Sequence, residues 1–149
     1  MSNCRFLDYA ATNLSAIIQY KASDMIIHID SDASYLSEPR ACSRTGGHYY
    51  LSSLTTNPEK SPNLPPPANG PIQTECRIIK HVVASAAEGE VGGMFHNGQT
   101  AVLLITTLHK LGFTQPPTPI KTDNSAAKGI STATVTQKRS KVMDMRFIR

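Results

Sequence analysis

Apolar positions along the chain change their period several times, and each change predicts an element. In residues 6–20 (FLDYAATNLSAIIQY), Leu7, Ala10, Leu14, Ile17 and Ile18 recur at helix-like intervals broken by Asn13. That predicts a short helix or turn covering a sheet. Residues 24–30 (DMIIHID) alternate instead: Met25, Ile27 and Ile29 share one face, and Asp24, Ile26, His28 and Asp30 the other. An isoleucine-rich alternation ending in acids and small residues predicts a strand running into a polar loop. Residues 44–54 (RTGGHYYLSSL) predict a second strand after a Gly-Gly turn, and residues 75–85 (ECRIIKHVVAS) a third. Six of the ten prolines (Pro58, Pro62, Pro65, Pro66, Pro67 and Pro71) fall between them. No regular element runs through that density of proline, so a surface loop at about 55–73 joins the second and third strands as a swollen hairpin.

From Ala86 the period lengthens. Met94, Val102, Ile105, Leu108 and Leu111 suit a helix that ends at Leu111-Gly112, where glycine supplies the C-terminal cap. Gly89, Gly92 and Gly93 weaken its first turns, each by up to about 1 kcal/mol against alanine. After the turn TQPPTP, residues 120–123 (IKTD) read as a short strand, SAAKGI opens another helix, and VTQKRSKVMDMRFIR reads as a last, basic helix. Three strands, a helix, a strand and a helix predict an α/β domain with a mixed sheet.

Composition narrows the class without naming it. At 149 residues, 40% hydrophobic and 17% charged, the chain is a lean single globular domain, and a fibrous or coiled-coil protein is excluded. The longest aliphatic run, Ala101 to Ile105, is far short of the roughly 20 residues a membrane span needs. The opening MSNCRFLDYAATN has no basic segment followed by an apolar stretch, which predicts no secretory leader. Cys4, Cys42 and Cys76 are odd in number and widely spaced. With five scattered histidines they form neither a disulfide framework nor a zinc pattern, which predicts an intracellular chain. The last twelve residues hold Lys138, Arg139, Lys141, Arg146 and Arg149 against Asp144, an excess equal to the whole chain's formal +4. A basic end of this kind suits either a polyanion such as nucleic acid or a plain solvated face.

Three acidic positions stand where chemistry could gather. Asp32 (with Asp30) ends the first strand, Glu90 (with Glu88) lies in the first turns of the long helix, and Asp123 ends the fourth strand. Strand ends and a helix start can meet at one sheet edge, where open α/β folds bind ligands. Converging carboxylates repel unless a cation sits among them, and hard oxygen donors favour magnesium or manganese. The alternative is capping: Asp123-Asn124-Ser125 can serve only to start the next helix. On a helix Glu88 and Glu90 point about 200° apart, so one of them at most faces the site. Asp30 and Asp32 share a strand face, and spacing leaves that choice open.

HIDSDASY, SAAEGEVGGMF, LHKLGF, IKTDNSAAKGI and RSKVMDMRFIR occur in that order. Together they resemble the RNase H-like domain that closes copia-type retrotransposon polyproteins. That family reads approximately S-D-A-D-W, S-x-x-E-A-E-Y-x-A, L-G-F, D-N-x-S-A-I and R-x-K-H-I-D-I-R. The resemblance covers residues 24–149 apart from the proline loop, and it makes residues 1–23 a connecting segment from the reverse transcriptase side. It implies an RNase H-like mixed sheet, an antiparallel three-stranded hairpin sheet plus parallel strands, with flanking helices. It also implies that Asp32, Glu90 and Asp123 are the catalytic carboxylates and hold magnesium, with manganese a substitute. The reaction implied is hydrolysis of the RNA strand of an RNA–DNA hybrid, with Arg139, Lys141 and Arg146 on the phosphates. The parent reverse transcriptase is a further implied partner. The family's fourth Asp lies beyond the position of Arg149, its His in K-H-I is Val142 here, and glycines flank Glu90. The resemblance therefore implies a fragment truncated at its C-terminus, either a three-ligand nuclease or a catalytically inactive nucleic-acid-binding remnant.

Overall fold

A computed structural model describes residues 2–53 and 67–132. The elements are α1 (Ser2–Thr12), β1 (Ile26–Glu38), β2 (Cys42–Ser52), β3 (Pro71–Ile79), α2 (Ala86–Lys110), β4 (Ile120–Lys121) and α3 (Ser125–Ser131). The strands form one four-stranded sheet in the order β3-β2-β1-β4. The β1–β2 and β2–β3 pairs are antiparallel and β1–β4 is parallel. The architecture is α/β with a mixed sheet and flanking helices, as the pattern predicts. Of the loop expected at about 55–73, the part up to residue 66 lies outside the described residues, as does the basic segment from 133 onward; residues 67–70 hold no regular element, and 71–73 belong to β3 rather than to the loop.

Several expectations shift on the way. The helix at the start exists, but it does not pack as a cover: Leu7, Tyr9, Leu14, Ile17 and Ile18 are all exposed. Asn13 ends it by returning its amide and side-chain N–H groups to the Tyr9 carbonyl. β1 outruns the alternating stretch by eight residues, because the antiparallel ladder with β2 carries Ser31 to Ser34 as far as Arg44. Gly46 and Gly47 make no turn. They lie inside β2, opposite Asp32 and Ser31, and the chain reverses at Pro39–Ala41. β3 spans 71–79 rather than 75–85, since Pro71 is acceptable as the first residue of an edge strand.

The core sits between the sheet and α2. Ile27, Ile29, Tyr49, Ala101 and Leu108 are buried together, bordered by Met25, Leu51, Leu104, Ile105 and Ile120. The helical face differs from the one expected, because Val102 and Leu111 are exposed. Near its start the buried side of α2 is small and polar instead: Glu90, Gly93 and Asn97, then Ala101. Gly93 is a packing device, since a Cβ there would come 2.7 Å from Thr45 Oγ1. The C-terminus closes as expected, with Gly112 at φ 92° and N–H bonds from Gly112 to His109 and from Phe113 to Leu108. That is the Schellman arrangement, which a residue without Cβ enters at no cost.

The second face of β1 is buried too, at Ile26 and His28. His28 stacks on Tyr50 with ring centroids 5.6 Å apart, and Asp30 pairs across the ladder with His48. Burial holds the His28 imidazole below its ordinary range, against the pull of the Asp30 charge and a bond to the Ser53 backbone. Nε2 of His28 and Oδ1 of Asp30 are buried without a hydrogen-bond partner. The unfolded chain therefore takes up a proton on His28 before the folded one does. Stability from this group is complete above about pH 6.5 and drains away as pH falls below it. A His28→Leu variant should show a flatter fall in melting temperature between neutral pH and pH 5 than the parent. Parallel curves would show that His28 carries none of the acid sensitivity.

Candidate metal centre

Three separate segments deliver the acids. β1 carries Asp32, the second turn of α2 carries Glu90, and the turn after β4 carries Asp123. One carboxylate oxygen from each lies within 4.8 Å of the others. Asp32 and Asp123 are exposed and Glu90 is 5% exposed, so the cluster has a buried floor and an open rim.

Register explains why these acids meet. β4 runs parallel to β1, with Ile29 beside Ile120 and Asp30 beside Lys121. Continuing in step brings Asp123 level with Asp32, while Asp30 is level with a strand residue and outside the cluster. Side-chain alternation could not separate Asp30 from Asp32; the end of β4 does. On the helix, Glu88 is spent as a cap. Its Oε2 accepts the Ala84 N–H at 2.7 Å while its own N–H donates to Ser85 Oγ at 3.1 Å, a reciprocal start of the capping-box kind. Capping and convergence also divide neighbours at Asp123-Asn124. Asn124 Oδ1 accepts the Ala127 N–H at 3.0 Å and caps α3, leaving Asp123 for the cluster.

Glu90 is tied to both other acids through the residue beside each. Its Oε1 accepts the Ala33 N–H at 3.2 Å, and its Oε2 accepts the Thr122 hydroxyl at 3.4 Å. Thr122 in turn accepts the Asn124 N–H at 3.3 Å, which steadies the Asp123 turn. Burial holds the Glu90 carboxyl above its ordinary range, and the Asp32 and Asp123 charges add to this. The Ala33 N–H and the Thr122 hydroxyl pull the other way. Among the described residues the ion pairs are Arg44–Glu38 and Arg77–Glu75, so no lysine or arginine neutralises the three acids. Hard oxygens, a buried carboxylate and two exposed ones form a donor set that suits a divalent cation.

Sequence reasoning named all three acids but missed Thr122, whose hydroxyl supports Glu90, and the buried Asn97 two turns further along α2. The signal for Asn97 was present, an amide seven residues after Glu90 and on the same helical face. Arg139, Lys141 and Arg146 lie outside the described residues. No helix among the described residues is long and apolar enough to cross a membrane.

The fold and site together define an α/β protein in which a strand of the mixed sheet, the long helix and the turn after β4 bring together three carboxylates that could hold a metal ion. Comparison of the chain with family models, curated proteins and solved structures returns no match.

Proposed function

We propose that this chain is an RNase H-like domain of the copia retrotransposon type, which hydrolyses the RNA strand of RNA–DNA hybrids with magnesium held by Asp32, Glu90 and Asp123. The observation that carries the reading is the meeting of these three acids from β1, α2 and the turn after β4. They are the same three that the ordered motifs of the resemblance single out among all eleven acidic residues. Bound divalent cations supply an activated water and charge stabilisation for the leaving oxygen. The chain's own part is to hold the donors ready. Asp32 and Asp123 offer exposed oxygens that would hold the cation at the open rim, the side a phosphodiester can reach, while the Ala33 N–H and Thr122 hydroxyl keep Glu90 aimed from below. Hybrids are recognised by shape, 2′-hydroxyls and phosphates, and Arg139, Lys141 and Arg146 are the phosphate contacts this reading assigns.

The test is cleavage of an end-labelled RNA–DNA hybrid by the purified chain, with magnesium and then manganese, beside Asp123→Asn. Shortening of the RNA strand by the parent, lost in the variant, is the expected result. Equal rates for the two proteins, or no cleavage by a chain that melts cooperatively, would overturn it. In the latter case, salt-dependent binding without turnover would mark a nucleic-acid-binding remnant.

A further inference from the structure

We propose that Asn97 is a positioning residue for the carboxylate centre, fixing the height at which α2 presents Glu90 to Asp32. The proposal rests on the metal-centre reading and names the device that builds it. Asn97 is 1% exposed, and its amide is engaged on both sides. Nδ2 donates to Ser31 Oγ and to the Gly46 carbonyl, each at 2.9 Å, and Oδ1 accepts the Tyr49 hydroxyl at 3.1 Å. Those partners are not arbitrary with respect to the site. Ser31 immediately precedes Asp32, and Gly46 is the residue paired with Asp32 across the β1–β2 ladder. One side chain on α2 thus grips both strands at the register of the first acid.

Glu90 stands seven residues earlier, two helical turns back on the same face and about 10 Å along the axis. Gly93 lies between them against Thr45 and Ala33, so nothing in the intervening turn holds the helix away from the sheet. The sheet makes room in return, because a Cβ at Gly47 would come 2.6 Å from Asn97 Oδ1. Further along the helix, Ala101 and Leu108 contribute only apolar contacts, which are non-directional and tolerate a slip along the axis. The amide does not. A slide of one residue, about 1.5 Å, takes both Nδ2 donors away from their acceptors and leaves them buried and unpaired. Together with the Glu90–Ala33 and Thr100–Glu75 bonds at the outer turns, this central polar stitch specifies the register, while the apolar core supplies attraction.

The test separates register from general stability by reading cation binding. Manganese is titrated into the parent, Asn97→Leu, Ser31→Ala and Leu108→Ala, and free Mn2+ is followed by electron paramagnetic resonance alongside thermal melting. Asn97→Leu should weaken manganese binding by about tenfold or more, the range that supporting residues of metal sites show. Ser31→Ala removes one acceptor only and should weaken it less. Leu108→Ala, which destabilises the same helix through the core, should leave the affinity unchanged. If Asn97→Leu fails to fold, Ser31→Ala set against Leu108→Ala still decides the matter. Parent-like affinity in Ser31→Ala and in any folded Asn97→Leu overturns the positioning role, as does equal weakening in Leu108→Ala. A parent chain that binds no manganese overturns the metal-centre reading itself, and the positioning role falls with it.

Discussion

Glu90→Gln is expected to stabilise the cation-free protein and to abolish its response to divalent cations. Glu90 is buried between two like charges, and among the described residues no cation pairs with it. At neutral pH its ionised form is thus a cost to the fold. Glutamine has the same shape, keeps an oxygen for the Ala33 N–H, and turns its amide toward Thr122 Oγ1. The charge goes and the hydrogen bonds stay, so melting in a chelator should shift upward. With magnesium or manganese at a hundred times its dissociation constant, the parent should gain about 2.7 kcal/mol, because the ion binds the folded state alone. For a domain of this size that is several degrees in melting temperature. The variant has lost one of three donors and the charge that draws the ion, and should gain almost nothing. Circular dichroism melts of both proteins in chelator and in metal give the answer. An upward metal shift of equal size in the variant would remove Glu90 from the site.

Alanine at Gly93 and at Gly89 should move stability in opposite directions. Helix propensity favours both changes by up to about 1 kcal/mol. At Gly89 nothing lies within 4 Å of the added Cβ, so the propensity gain should appear nearly whole. At Gly93 the new methyl would lie 2.7 Å from Thr45 Oγ1 and 3.6 Å from the Ala33 Cβ. Thr45 is 1% exposed, and its hydroxyl donates to the Asp32 carbonyl, so it cannot turn aside without losing that bond. The helix must lift instead, and overpacking of this kind costs about 1–3 kcal/mol. A net loss of up to about 2 kcal/mol is expected for Gly93→Ala once the propensity gain is subtracted, together with weaker cation binding as Glu90 is carried away from Asp32. Urea midpoints of the two variants check it. Shifts of the same sign would show that the close approach of α2 to the sheet is not what Gly93 secures.

These glycines show where reading the sequence stops. In one dimension Gly89 and Gly93 are the same residue with the same propensity penalty, and both read as weaknesses of the helix. Only the packed structure assigns one to open space and the other to the contact that lets Glu90 reach the sheet. The Gly46-Gly47 pair repeats the lesson, since glycine signals either a turn or a close approach and local pattern does not choose. The turn formed instead at Pro39–Ala41.

Local pattern did determine a good deal. The alternation at 24–30, the period change at Ala86 and the glycine cap at Gly112 marked elements that the structure contains, because backbone periodicity and capping are properties of short segments. Spacing alone also decided that Glu88 and Glu90 could not both serve one site, since the angle between them is set by helix geometry. Which of each doubled pair converges was decided elsewhere. Asp32 prevails over Asp30 because β4 ends one residue past its pairing with Ile29, and that register is a contact between segments about ninety residues apart. The buried stripe of α2 was equally hidden. A face of Glu, Gly, Asn and Ala has no hydrophobic signal, and it is buried because the sheet offers a carbonyl, a serine hydroxyl and a tyrosine to receive it. The chain carries its periods and its caps in single segments. The carboxylate centre exists only where three segments meet, and hydrogen bonds across the sheet set that meeting.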